Sequence, residues 1–178
     1  MRIRHSSIED IPHLMAIYSH ARAFMAAHAN PNQWGPNHWP PQHVIEEDIQ
    51  QTKSYVCLNE ENHIVATFFY DFREEGDVEP TYQVIHDGHW LANAPYGVVH
   101  RIASNGTERG AASFCLEWAL NQCGDLRIDT HYENIPMQRL LQKLGFTRCG
   151  TIFIHEGRDP RLAYEKILTD DESGTRFF

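Results

Sequence analysis

The chain has 178 residues, 42% of them hydrophobic and 11% aromatic. That suits one well-packed globular domain and excludes a largely disordered chain. A formal net charge of −9 argues against nucleic acid as the partner, because a phosphate-backbone binder needs clustered Lys and Arg, yet it allows a nucleotide-like cofactor held at one local positive site and favours a cationic substrate.

The opening MRIRHSSIED has no apolar core behind its charges, so a secretory signal is not expected. No apolar run reaches the length of a membrane span. Cys57, Cys115, Cys123 and Cys149 form no CxxC pair. Free, mostly buried thiols in a cytoplasmic protein are the expectation.

Arg2–Arg4 reads as a short first strand. Ser7 and Asp10 are spaced for a capping box. Ile11, Leu14, Tyr18, Ala21 and Met25 recur at helical spacing and predict one amphipathic helix ending near His28. The stretch NPNQWGPNHWPP over 30–41 is a loop carrying two tryptophans. Pro41 opens a second helix through Gln50. Ser54–Leu58 and His63–Asp71, joined by the polar turn Asn59–Asn62, predict a hairpin. Phe72–Pro95 is irregular, with one short apolar run at Tyr82–Ile85 and an exposed-looking Trp90.

The segment VVHRIASNGTERGAASF over 98–114 carries the most information. Tyr96–Ser104 is a buried strand, Asn105-Gly106 breaks it as a turn, and Gly110–Cys123 is a helix that begins with small side chains. A helix start leaves backbone N–H groups unpaired and carries partial positive charge. Small residues there let a pyrophosphate come close. Leu126–Thr130 is a further strand. Asn134–Leu144 is a helix with Met137, Leu140, Leu141 and Leu144 on one face, closed by Gly145. Phe146–Ile154 and Leu162–Ile167 are closing strands, and Thr169–Phe178 is a polar tail. The order predicts an α/β fold with a mixed sheet: an antiparallel first half, then βαβ-like crossovers.

Arg101-Ile102-Ala103-Ser104, the turn, and Arg109-Gly110-Ala111-Ala112 resemble the strand–loop–helix of the GNAT superfamily of acetyl-CoA-dependent N-acetyltransferases. Asn134, with Met137, Leu140, Leu141 and Gly145-Phe146 after it, is similar to the superfamily's Asn-led helix ending in Gly-Phe. The element order from residue 2 to 167 matches as well. The resemblance implies a single-domain α/β fold over 1–168, with a mixed, mostly antiparallel sheet, splayed central parallel strands and flanking helices; 169–178 is the tail. It implies acetyl-CoA as co-substrate. The backbone of Ile102, Ala103 and Ser104 would pair with the pantetheine arm, and the amides of Arg109, Gly110, Ala111, Ala112, Ser113 and Phe114 would hold the pyrophosphate. Asn134 would contact the cofactor near the thioester. The chain departs from the family motif at three places: Ala112 replaces a glycine, Phe114 a small residue, and Leu141 the tyrosine with which many members protonate the leaving thiolate.

Acetyl transfer to an amine needs a base for the ammonium, a donor for the oxyanion and help for the departing thiolate. Strand alternation puts Val98, His100 and Ile102 on one face, and Arg127, Asp129 and His131 on one face of the next strand. His100 and His131 are the base candidates, since a histidine needs little tuning near neutral pH. Each reads equally well as a core histidine bonded to a carbonyl. Asp129 is a candidate to orient either imidazole, with a salt bridge to Arg127 or Arg101 as its structural alternative. Tyr96 and Tyr132 are weaker acid candidates and read as packing residues with wet hydroxyls. Gln33, Trp34, Trp39 and Trp90 sit in loops suited to wall an acceptor pocket or to pin those loops to the core. Phe24 and Met25 are expected in the core below.

The 12 histidines invite a metal, but His5, His13, His20 and His28 form only a loose helical stripe, and no HExxH, HxxxH or Cys/His ligand pairing occurs. No metal is expected. A P-loop Lys-Ser/Thr and a GxGxxG are both missing, which disfavours ATP and NAD. The expected partner is a small-molecule or peptide amine, with no nucleic acid and no membrane. A homodimer is compatible with an open sheet edge or with the aromatic loops. A non-catalytic acyl-CoA sensor of the same fold is the rival reading, since the helix tyrosine is missing.

Overall fold

The structure is a computed structural model and describes residues 1–35, 37–154 and 159–169. Most of the expected polar tail, residues 170–178, lies outside the described residues. The strands are β1 (Arg2–His5), β2 (Ser54–Leu58), β3 (Ile64–Arg73), β4 (Tyr96–Ser104), β5 (Asp125–His131), β6 (Thr147–Ile154) and β7 (Asp159–Ile167); the helices are α1 (Ile11–Ala27), α2 (Gln42–Gln50), α3 (Ala111–Cys123) and α4 (Ile135–Lys143). The sheet order is β1-β2-β3-β4-β5-β7-β6. The backbone divides into two compact units, 1–70 with 100–116, and 71–99 with 117–178. β4 and α3 contribute residues to both.

In the first unit, β1 pairs antiparallel with β2, and β2 with β3. The hairpin turn closes on Asn59, whose Oδ1 accepts the amides of Glu61 (3.1 Å) and His63 (2.9 Å). This is how an asparagine side chain stands in for backbone in a turn. The Asp10 carboxylate accepts the Ser7 amide at 2.8 Å and pairs with Arg4 at 2.6 Å, which opens the turn into α1. Leu14, Ile17, Tyr18 and Ala21 of α1 then bury one face against Ile45, Val56, Leu58 and Ala103. Burial of that many large apolar side chains contributes roughly 1.5–3 kcal/mol each, before chain entropy is counted.

In the second unit, β4 runs parallel to β5 over only three pairs, Gly97–Val99 opposite Leu126–Ile128. β5 and β6 each pair antiparallel with β7. Tyr82, Tyr96, Val98, Ile152 and Ala163 form its core. The segment between β3 and β4, irregular by sequence, is tied down. His86 and Thr151 exchange both backbone hydrogen bonds at 2.8 Å, and the His89 amide donates to the Cys149 carbonyl at 3.0 Å. A side chain on Gly88 would collide with that same carbonyl. Asn134 caps α4 by accepting the Met137 amide at 3.2 Å, and Gly145 ends the helix at φ +81°, the left-handed closure glycine allows.

Candidate functional site

The first unit holds the strand–turn–helix. β4 is interrupted at Arg101, whose φ is +52° in mid-strand. A non-glycine residue costs on the order of 1–3 kcal/mol there and persists only where its surroundings hold it. Three groups do so. The Arg101 guanidinium meets the Asp48 carboxylate through Nη2 (2.7 and 2.8 Å) and Nε (3.1 Å). It also lies 4.7 Å from the centre of the Phe69 ring. The Tyr18 hydroxyl donates to the Arg101 carbonyl at 3.1 Å. This kink falls between His100 and Ile102, so the simple alternation that joins those two is interrupted while Val98 and His100 lie before it. His100 is half-buried with its ring 5.7 Å from that of Phe69. Ile102 and Ala103 are buried and Ser104 half-buried. Tyr18 and Asp48 were not singled out by sequence as site residues. The one available signal was an acid at position 48, three residues after Ile45 and just before Ile49, on the buried side of α2.

After β4 the chain turns through Gly106 (φ +75°) and Gly110 (φ +86°) into α3. Beside Gly110 nothing lies within 4 Å of an added Cβ, so its backbone is open to a ligand. The Phe114 amide makes the bond to the Gly110 carbonyl at 2.9 Å, whereas the Ala111 amide reaches the Glu108 carbonyl only at 3.5 Å. The amides fit for an anion are therefore those of Gly110 to Ser113, and Phe114's is engaged. Arg109 is exposed; Ala111 is buried and Ala112, Ser113 and Phe114 are half-buried.

The second unit holds Asp129, His131 and Asn134. The Asp129 carboxylate accepts the Tyr82 hydroxyl at 2.8 Å. The alternative expected from sequence, a salt bridge to Arg127 or Arg101, is not the arrangement: Arg127 pairs with Glu165 and Arg101 with Asp48. Burial raises the Asp129 carboxyl above its ordinary range. His131 is buried, and its Nδ1 accepts the Glu133 amide at 3.2 Å. Burial, then nearby Arg161, lowers its imidazole below the ordinary value, so it is neutral near pH 7.

Three aromatic expectations need correction. The Tyr96 hydroxyl is not wet: the residue is buried and the hydroxyl accepts the Glu79 amide at 2.9 Å. Phe24 is not core but exposed, stacked on His28 at 3.9 Å. Trp90 is half-buried rather than exposed, and donates from Nε1 to the Tyr82 carbonyl at 3.1 Å. Trp34 is buried edge-on to Tyr18 at 5.8 Å, and Trp39 packs against the same core. Gln33 accepts the Asn30 amide at 2.8 Å. These tryptophans therefore have packing partners in their own units. Tyr132 is exposed, and Leu141 is fully buried. Among the described residues no group of three His, Cys, Asp or Glu side chains is placed to hold a metal ion, and no helix is long and apolar enough to cross a membrane.

No family model matches the chain, and no curated protein matches it. Solved structures do. An acetyltransferase of the GNAT family from Streptococcus agalactiae superposes with a TM-score of 0.82 at 29% identity, covering 94% of this chain and 95% of that one. A GNAT-family acetyltransferase from Listeria monocytogenes gives 0.65 at 16% identity, over 94% of each chain. The NatB acetyltransferase complex bound to CoA and MES gives 0.57 at 13% identity, over 95% of this chain and 100% of that one.

Proposed function

Starting from the GNAT acetyltransferase fold that this chain has, we propose that it is an N-acetyltransferase that moves an acetyl group from acetyl-CoA to a primary amine. The observation that carries the reading is the unbroken run from the Arg101 kink through Gly106 and Gly110 into α3. An energetically costly backbone shape is held there by a buried ion pair, immediately before an open, small-residue helix start.

Acetyl-CoA, when bound, supplies the activated acetyl group. The amides of Gly110, Ala111, Ala112 and Ser113 would hold its pyrophosphate, helped by the helix-start dipole and by exposed Arg109. The backbone of Ile102, Ala103 and Ser104 would align the pantetheine arm and polarise the carbonyl. Asn134 would contact the cofactor while it caps α4. Of the two histidines, His100 suits the base better. The Nδ1 lone pair of His131 already accepts the Glu133 amide, which leaves its proton on Nε2, the atom 4.0 Å from Asp159. A nitrogen carrying a proton cannot take another from the amine. Asp129, whose carboxylate accepts the Tyr82 hydroxyl, would be the acid that orients an imidazole. Gln33, Trp34, Trp39 and Trp90 enter as residues that hold acceptor-side loops in place.

Calorimetric titration with coenzyme A, followed by a CoA-release assay over a panel of amines, tests this. Binding and amine-dependent release are expected, with His100→Ala cutting turnover about 100-fold while CoA affinity stays within twofold. No heat on titration would end the reading. The fully buried Leu141, where many family members carry tyrosine, favours a second reading as an acyl-CoA sensor. A sensor would bind the cofactor and release no CoA with any amine.

A further inference from the structure

We propose that the second unit carries a separate binding site for a phosphate-bearing small molecule, in the pocket between α4 and strands β6 and β7. The pocket measures about 370 Å³ and is lined by Gln138, Arg139, Gln142, Phe146, Arg148 and Tyr164, with Ile135 at its edge. That volume lies within the range of small-molecule sites.

Its chemistry is one-sided. Arg139 and Arg148 face it, and among the described residues neither guanidinium has a carboxylate partner. In a chain of net charge −9, two unpaired guanidiniums on one pocket are a local reversal of sign. Guanidinium forks match phosphate oxygens in shape as well as charge. Arg148 and Tyr164 are cross-strand neighbours. Tyr164 is only 7% exposed, yet its hydroxyl has no hydrogen-bond partner among the described residues. That hydroxyl is not among the buried atoms without a partner, so it opens to solvent and is available to donate to a ligand. The Gln142 side-chain amide is likewise uncommitted. The Gln138 amide is spent on the Tyr132 carbonyl at 2.7 Å, and Phe146, itself buried, supplies an apolar floor. Two exposed guanidiniums, a phenol and an amide line it, with no acidic group among the lining residues.

The site is distinct from the one assigned to the cofactor. On α4, Ile135, Gln138, Arg139 and Gln142 follow helical spacing along one side. Asn134 and Leu141, to which the family resemblance gives the cofactor contact and the place of the thiolate-protonating tyrosine, follow another. The inference does not rest on the acetyltransferase reading.

Inorganic pyrophosphate is the probe, titrated calorimetrically into the intact chain with and without saturating coenzyme A. Binding is expected in both cases. It should weaken at least tenfold in Arg139→Gln/Arg148→Gln and about threefold in Tyr164→Phe, with coenzyme A affinity unchanged in each. Should the double variant not fold, Arg139→Gln alone, on an exposed position of α4, gives the same reading at about threefold or more. No pyrophosphate binding, binding undiminished by these substitutions, or binding abolished by coenzyme A overturns the proposal. The coenzyme A titration reports on the acetyltransferase reading separately, so either can fail alone.

Discussion

Asp48 holds Arg101 in a left-handed backbone conformation: the carboxylate makes three contacts of 2.7–3.1 Å with a guanidinium whose own residue sits at φ +52°. The two side chains are 11% and 15% exposed. Burial holds the Asp48 carboxyl above its usual range although Arg101 pulls it down, so desolvation is the larger effect. Removing one partner strands the other charge. Asp48→Ala is expected to cost on the order of 3 kcal/mol in urea unfolding, and Tyr18→Phe about 1 kcal/mol for the lost bond to the Arg101 carbonyl. If the kink serves the cofactor, both variants weaken coenzyme A binding more than their stability loss alone would. Unchanged CoA affinity in folded Tyr18→Phe would separate the kink from the cofactor.

Arg127 and Glu165 form the corresponding buried pair of the second unit, at 2.9 Å and 5% and 0% exposed. The guanidinium lies 3.8 Å from the Tyr96 ring centre and 4.5 Å from that of Trp90, and donates to the Ala92 carbonyl at 2.6 Å. Glu165 also accepts the Leu91 amide. One ion pair thus anchors the loop at 90–92. Arg127→Ala should destabilise by about 3–5 kcal/mol. Arg127→Met/Glu165→Leu should recover only part, because the Leu91 amide then loses its acceptor. Full recovery would mean the loop is not anchored there.

Asp125 has both carboxylate oxygens buried without hydrogen-bond partners. Burial, then the Glu165 carboxylate, pushes its carboxyl up to about 7. The folded chain therefore holds a proton that the unfolded chain releases near pH 4. Stability is lost as pH rises between those values, and the full penalty stands above about 7. Asp125→Asn removes the penalty. Its Tm should rise by about 5 °C at pH 8 and change little at pH 4, as followed by thermal unfolding.

His131 has the opposite sign. Its folded imidazole is held below the ordinary value by burial, so the unfolded chain binds a proton that the folded chain refuses. Stability falls as pH drops below about 6.5. His131→Gln should flatten that acid limb while leaving stability at pH 8 within about 1 kcal/mol. An unchanged acid limb would show that another group causes it.

The helices and strands were legible because their signals are local. Ile11, Leu14, Tyr18 and Ala21 report helical period within one turn of each other, and Gly106, Gly110 and Gly145 stand where φ is positive. Tyr96–Ser104 was placed to the residue for the same reason. Side-chain partnership was not legible. Asp129 reads by sequence as orienting an imidazole or pairing with Arg127 or Arg101, whereas its carboxylate accepts the hydroxyl of Tyr82, 47 residues away. The alternation that links His100 to Ile102 is interrupted at Arg101, whose guanidinium is held by Asp48, 53 residues earlier.

The amino-acid order alone therefore specified which elements occur and in what order, with ends such as that of β7 (Asp159 rather than Leu162) off by a few residues, since periodicity, capping and glycine placement act over a few bonds. Which carboxylate meets which arginine, which tryptophan is core and which backbone amide the His131 ring accepts were settled by folding. Those choices depend on desolvation and on contacts between residues far apart in the chain, which short-range pattern does not encode.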